Sequence, residues 1–276
     1  MQFDCGELHL RGVRMAPQTP FGEVLFLHGA GQTRHSWGGS MRHLAQRGWS
    51  ATAVDLRGHG DSDWSDSGNY SLEANAADVA HILTAIAEPV VLVGASLGGL
   101  ASLQAAATHT HHVRALVLVD IAPRASTDGV RRIHEFMLAH TQGFASLDEV
   151  AAAIGEYKGV DRPTNAAGLR KVVRQHHDSR WYWHWDPRLL SAHQRTAAGQ
   201  SQRADTLLQM AARIHTPTLV VRGTQSDVID QEGVDELRRV LPYSFETNVA
   251  AGHMVAGDDN DVFVAALTDF LQRLQH

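Results

Sequence analysis

The chain holds a single cysteine, Cys5, so no disulfide can form within it and no cysteine-rich metal site can be built. That usage agrees with a reducing compartment. No run approaches the ~18 to 20 apolar residues of a membrane span, and the opening "MQFDCGELHLRGVRMAP" lacks a cationic start followed by an apolar segment. The expectation is a cytoplasmic protein with no membrane partner. Basic residues are not in excess: 24 Lys and Arg stand against 30 Asp and Glu, a formal net charge of -6, which leaves no electrostatic footprint for nucleic acid. Internal repeats and low-complexity linkers are missing as well. What remains is 276 residues, 43% hydrophobic and 20% charged, enough to bury a large core. A small-molecule substrate is the partner class left standing, and a homodimer is compatible with the composition.

The apolar runs that are present are short and ordered. "ELHLRGVRM" alternates as an antiparallel strand does, and "GEVLFLHG" and "PVVLVG" are buried-strand runs that end in glycine. Between and after them lie helical spacings, among them "SLEANAADVAHILTAIA", capped by Ser71 with Leu72, Ala76, Val79 and Leu83 on one face. Strand and helix alternate to "VRALVLVD" and again from "PTLVVRG" onward, which predicts an α/β fold with a mostly parallel sheet covered on both faces. From residues 125 to 212 the strand runs give way to helical patterns ("GVRRIHEFMLAH", "SLDEVAAAIGEY", "GLRKVVRQHH") and the cluster "RWYWHWDPR". The expected organisation is a core of residues 1–124 and 213–276 with a helical cap, 125–212, inserted into it.

Gly94-Ala95-Ser96-Leu97-Gly98 is a G-x-S-x-G pattern set between a strand and a helix. A serine hydroxyl is a weak nucleophile and must be lifted into an exposed, strained turn, which needs neighbours without side chains. Its proton must go to a base, and His253, in "VAAGHMVAGD" after the last strand, is placed for that. A carboxylate must then orient the imidazole. Asp227, in "RGTQSDVI" beyond the penultimate strand, is the expected acid, with Asp120 at the end of "VRALVLVD" as the alternative. Backbone amides for a developing oxyanion are expected from Leu97, at the helix start, and from Ala30 in "HGAGQ", with Gly31 as the less favoured alternative.

The ordered segments "LFLHGAGQTRHSW", "AVDLRGHGDSD", "LVGASLGG", "LVLVDIAP", "LVVRGTQSD" and "AGHMVAGD" resemble the α/β-hydrolase superfamily along nearly the whole chain. Within it the sequence looks most like small bacterial capped serine hydrolases: esterases, epoxide-hydrolase-like proteins and cofactor-free haloperoxidases. The resemblance implies an α/β-hydrolase fold, a lid over the nucleophile and a reaction without cofactor; no metal is expected, because the histidines of "HTHHV" and His176-His177 lack the carboxylate or cysteine partners of a zinc site. Members that open epoxides carry Asp at the nucleophile position. Ser96 directs the chemistry to a carbonyl carbon instead, with a small to medium carboxylic ester as the expected substrate. A carbon–carbon bond, a thioester, perhydrolysis, or a non-catalytic ligand receptor are the alternatives. In "DLRGHGDSD", Arg57, His59 and Asp61 are expected to organise a loop near the site. Trp37, Met254 and Trp183 are the expected substrate contacts, although alternation in "WYWHW" means that its rings cannot all line one pocket.

Overall fold

The computed structural model describes residues 1–159, 166–193, 197–253 and 261–275, without the side chains of 166–167, 191–193 and 197–200. In chain order the elements are β1 (Gln2–Asp4), β2 (His9–Met15), β3 (Glu23–Leu27), α1 (Gly38–Gln46), β4 (Ser50–Val54), α2 (Leu72–Ala85), β5 (Val90–Ala95), α3 (Leu97–Thr108), β6 (Val113–Val119), α4 (Thr127–Leu138), α5 (Leu147–Lys158), α6 (Ala166–Leu169), β7 (Val173–Gln175), β8 (Trp181–Trp183), α7 (Ala197–Ala211), β9 (Thr218–Gly223), α8 (Gln231–Val240), β10 (Ser244–Val249) and α9 (Asp261–Arg273). Short 3-10 turns punctuate them.

Eight strands form one sheet in the order β1-β2-β4-β3-β5-β6-β9-β10. From β4 to β10 all neighbours run parallel, while β2 is antiparallel to both β1 and β4. The inner strands read as continuous apolar runs because both their faces are covered, and β3, β4 and β5 are buried at every position. One face packs on α2, α3, α7 and α8 through side chains such as Val79, Leu103, Leu207 and Leu237; the other packs on α1 and α9 through Met41, Leu44, Phe263 and Leu267. In α2 the Ser71 hydroxyl accepts from the Ala74 amide at 3.1 Å, and Leu72, Ala76, Val79 and Leu83 are all buried, as the spacing predicts.

The order matters for function. From β3 the chain moves to β4 on one side and then returns to place β5 on the other, so the strand order reverses between β3 and β5. Loops leaving the carboxyl ends of two such strands diverge and open a crevice. "HGAG" leaves β3 there and Ser96 leaves β5.

Between β6 and β9 lie α4 to α7 and a two-stranded antiparallel ribbon, β7 with β8. The helical expectation for "GLRKVVRQHH" is therefore corrected over Val173–Gln175. Here β-branched Val173 opens a strand that pairs with Trp181–Trp183 across a turn ending at Ser179, whose φ is 65°, and the Val172 carbonyl accepts the His184 amide at 3.0 Å; the partner strand supplies the alternation of "WYW". A third apolar cluster holds this region together around Phe144, Val150, Trp181, Trp183 and Trp185. Helix α7, in contrast, sends Leu207 and Ala211 into the main core.

The ribbon is fastened to the core by backbone hydrogen bonds. The Gly60 amide donates to the His184 carbonyl at 2.7 Å, and the Asp186 amide to the Gly58 carbonyl at 2.8 Å. Arg174 bonds the Gly60 carbonyl and lies 3.2 Å from Asp61, which also receives Arg34 at 2.7 Å. Asp61 thus ties "GHG" to the β7–β8 ribbon. Arg57 instead turns inward and grips both oxygens of buried Asp78 at 2.7 Å.

Candidate active site

Ser96 sits between β5 and α3 with φ 47° and ψ -115°, a backbone shape that a residue with a Cβ adopts only under constraint. Close packing of backbone imposes it. A Cβ at Gly94 would stand 2.4 Å from the Gly98 carbonyl oxygen, and one at Gly98 would stand 2.5 Å from that of Leu27, so the turn is pressed against β3 with no room for side chains. The Ser96 amide donates to the Val119 carbonyl at 3.0 Å, which fixes the turn to β6 as well.

His253, in the chain that follows β10, places Nε2 3.0 Å from Ser96 Oγ and Nδ1 2.6 Å from Asp120 Oδ2. A carboxylate against Nδ1 selects the Nδ1–H tautomer and leaves Nε2 free to accept the serine proton. The sequence expectation for the acid is corrected here: Asp120, not Asp227, meets the histidine. Asp120 terminates β6 with φ 51° and is 1% exposed. Its Oδ1 accepts the Gly223 amide at 2.8 Å, and its Oδ2 accepts Ser226 Oγ at 2.6 Å. The end of β9 therefore holds the carboxylate of β6 in place and supplies none of its own. Asp227 faces away, 38% exposed, in an ion pair with Arg132 of α4 at 2.9 Å. The cause is close packing of its backbone on α4, where a Cβ at Gly129 would lie 2.3 Å from the Asp227 carbonyl oxygen.

The amides of Ala30 and Leu97 have no acceptor among the described residues. Leu97 opens α3, where amides are unpaired by geometry and the helix dipole is positive. Gly31, the other candidate in the loop, is excluded because its amide donates to His59 Nε2 at 3.2 Å. His59 Nδ1 in turn lies 3.0 Å from the Arg57 carbonyl, so it donates there and keeps Nε2 as an acceptor. His28 repeats the device, with Nδ1 on the Gly29 carbonyl at 2.8 Å and Nε2 accepting the Leu56 amide at 3.0 Å. These two imidazoles shape the loop that presents Ala30, the role that the pattern "LHGAG…DLRGHG" predicts for the second of them.

Both imidazoles must stay neutral to accept those amides. Burial holds His28 down to about 4; burial, reinforced by His28, holds His59 down to about 3. A histidine with a lowered folded-state pKa contributes no pH dependence above the ordinary value near 6.5, where both states are neutral. Below it the unfolded chain takes up protons that the folded chain refuses. Stability should therefore fall as pH drops from about 6.5 towards 4, by about 2 kcal/mol for each of the two at pH 5. Urea midpoints at pH 7.5 and 5 check this, and an unchanged midpoint would contradict it.

Two cavities flank the serine. One, about 140 Å³, contains Ser96, Leu97, Asp120 and His253 with apolar walls from Leu100, Ile121 and other side chains. The other, about 480 Å³, lies between the loop after β3 and the segment from α4 to β8, and Ala30, Ile133 and Met137 line both. Trp183 and Trp185 stack with ring centres 4.7 Å apart and line the larger one, and their indole N–H groups donate to the Ala139 and Met137 carbonyls. The segment is extended, so Trp181, Trp183 and Trp185 share the buried face and Tyr182 and His184 take the other. Trp37, an expected substrate contact, is corrected: it is wholly buried in the core against Phe26 and Phe263 and lines neither cavity. Met254 lies outside the described residues. Met137 and Phe136 of α4 were not distinguishable from ordinary amphipathic spacing in the sequence.

With this arrangement in view, the chain is placed by comparison: residues 23–259 match the alpha/beta hydrolase fold family, and the chain belongs to it. It is 31% identical over 249 residues, 85% of this chain and 78% of the relative, to an esterase, Rv0045c, of Mycobacterium tuberculosis. It is 28% identical over 262 residues to an sn-1-specific diacylglycerol lipase of Mus musculus, covering 90% of this chain and 80% of that one. Among solved structures it superposes on E-2-(acetamidomethylene)succinate hydrolase with a TM-score of 0.83, covering 99% of this chain and 98% of the other at 24% identity. The protein is a hydrolase of the α/β fold with esterase-like relatives. Among the described residues no helix is long and apolar enough to cross a membrane.

Proposed function

We propose that the protein is a serine esterase that cleaves a carboxylic ester through an acyl-enzyme. The observation that carries this reading is the continuous chain of contacts from Ser96 Oγ through His253 to Asp120, at 3.0 and 2.6 Å, beside two amides without acceptors. As Ser96 Oγ bonds to the ester carbonyl carbon, its proton passes to His253 Nε2, and the carbonyl oxygen gains the charge that the Ala30 and Leu97 amides receive. Asp120 stabilises the imidazolium without taking its proton. The tetrahedral species collapses when the carbon–oxygen bond to the alcohol breaks and Nε2–H protonates the leaving oxygen. Water then gives a proton to Nε2, attacks the acyl carbon and releases the acid, while Ser96 regains its hydrogen. No step calls for a metal or cofactor.

The esterase and lipase relatives support ester as the substrate class. The test is a pre-steady-state burst of nitrophenol from short-chain nitrophenyl esters, with labelling of Ser96 by a fluorophosphonate. A burst equal to the enzyme concentration, and loss of both signals in Ser96→Ala, is the expected result. Neither labelling nor turnover in a folded protein would overturn the reading and leave a small-ligand receptor in its place.

A further inference from the structure

The larger cavity has a charge pattern that ester cleavage alone does not require. Its inner wall is apolar, from Phe136, Ile154, Leu169, Trp183 and Trp185, and it adjoins the serine cavity at Ala30, Ile133 and Met137. Three cations also line it: Arg42 of α1, Lys158 at the end of α5 and Lys171 just after α6. They come from three separate segments, all are exposed, and none has a carboxylate partner among the described residues. Among the described residues no Asp or Glu lines the cavity. Burial, and after it the Arg34 charge, hold the His35 imidazole at the same wall below its ordinary value; Asp55 opposes the shift and Lys171 adds a smaller push in the same direction.

The placement of the lysines sharpens this. The whole chain contains two lysines, Lys158 and Lys171, its other 22 basic residues being arginine, and both lysines line this one cavity. An ammonium on a long flexible stem can turn to meet an anion of either shape, whereas a guanidinium prefers a partner that fits its fork.

We propose that this cavity receives an anionic group, carboxylate or phosphate, carried at the end of the ester remote from the carbonyl that Ser96 attacks. The proposal rests on the esterase reading and specifies its substrate class. Ala30 belongs to both cavities, so a carbonyl held at its amide stands at their junction. From there an apolar spacer passes Ile133 and Met137, and the charged end meets Lys158, Lys171 and Arg42. A fully apolar ester of the same length would leave all three cations to water and gain nothing from them.

The test measures binding independently of turnover. Calorimetry with Ser96→Ala compares monomethyl adipate and a six-carbon methyl ester ending in phosphate with neutral dimethyl adipate, at low and high salt. At least one anionic ester should bind on the order of tenfold tighter than the neutral one at low ionic strength. That ratio should shrink towards one at high salt and in Ser96→Ala carrying Lys158→Met and Lys171→Met, whose melting curve is recorded to show that it folds. Which of the two anions gains the more identifies the group. If neither binds tighter than the diester, or if the advantage survives loss of both lysines, the proposal is wrong. Nitrophenyl butyrate turnover by the wild-type enzyme reports separately on the esterase reading, so failure of one is not mistaken for failure of the other.

Discussion

Asp120→Asn should lower kcat for a nitrophenyl ester by about 10⁴-fold, whereas Asp227→Asn should change it by no more than about threefold. The difference follows from what each carboxylate touches. Asp120 accepts the His253 Nδ1 proton at 2.6 Å, and the same carboxylate takes the Gly223 amide and the Ser226 hydroxyl. With asparagine in that place, Oδ1 can still accept from Gly223, so the loop geometry is kept. The amide NH₂ then faces His253 and the imidazole must offer a lone pair at Nδ1. The proton moves to Nε2, and a protonated Nε2 cannot take the hydrogen of Ser96. Asp227 is paired with Arg132 on an exposed surface, where the loss of one ion pair changes little. Steady-state kinetics of the two variants decide the matter. A large loss in Asp227→Asn with Asp120→Asn near wild type would return the acid to the loop after β9.

Why the sequence favours the wrong aspartate is a matter of register and close packing. Both residues follow strands whose carboxyl ends face the same crevice, and hydrophobic patterning locates such ends only to within a few residues. What separates them is tertiary: Gly129 of α4 draws the Asp227 backbone outward, while Asp120 turns inward at φ 51°. Neither fact has a local signature. Ser96 and His253 were legible because each carries one, the first in glycines that only a compressed strand-to-helix turn explains, the second in its place after the final strand. The oxyanion loop was legible in part. "HGAG" announced it, but the choice of Ala30 over Gly31 depends on His59 reaching back across 28 residues to occupy the Gly31 amide. Trp37 was misplaced for a simpler reason. Its position just beyond that loop is close to the site in sequence, yet its ring turns into the core, wholly buried beside Phe26 and Phe263, a tertiary choice with no local signature. Between β6 and β9, "VVRQ" carries both a helical spacing and β-branched residues, and pairing with "WYW" decides between them.

Ser96→Gly should abolish turnover, lowering kcat by about 10⁶-fold, and at the same time make the protein more stable by about 1 kcal/mol. The first half follows from the loss of the hydroxyl that lies 3.0 Å from His253 Nε2; what survives is the weak assistance of the Ala30 and Leu97 amides to attack by water. The second half follows from the backbone. At φ 47° and ψ -115° a Cβ is held where it clashes with neighbouring peptide groups, at a cost of about 1 to 3 kcal/mol that glycine removes. Against that stands the greater freedom of a glycine in the unfolded chain, about 0.5 to 1 kcal/mol, so the net gain is the smaller figure. Ser96→Ala supplies the control, because it removes the hydroxyl but keeps the Cβ. It should match the glycine variant in lost activity and fall short of it in stability. Urea unfolding of the wild type and both variants reads the difference directly. Equal stability in the two variants would mean that the turn is relaxed, and that the contacts of Gly94 and Gly98 with β3 and α3 hold Ser96 in place without straining it.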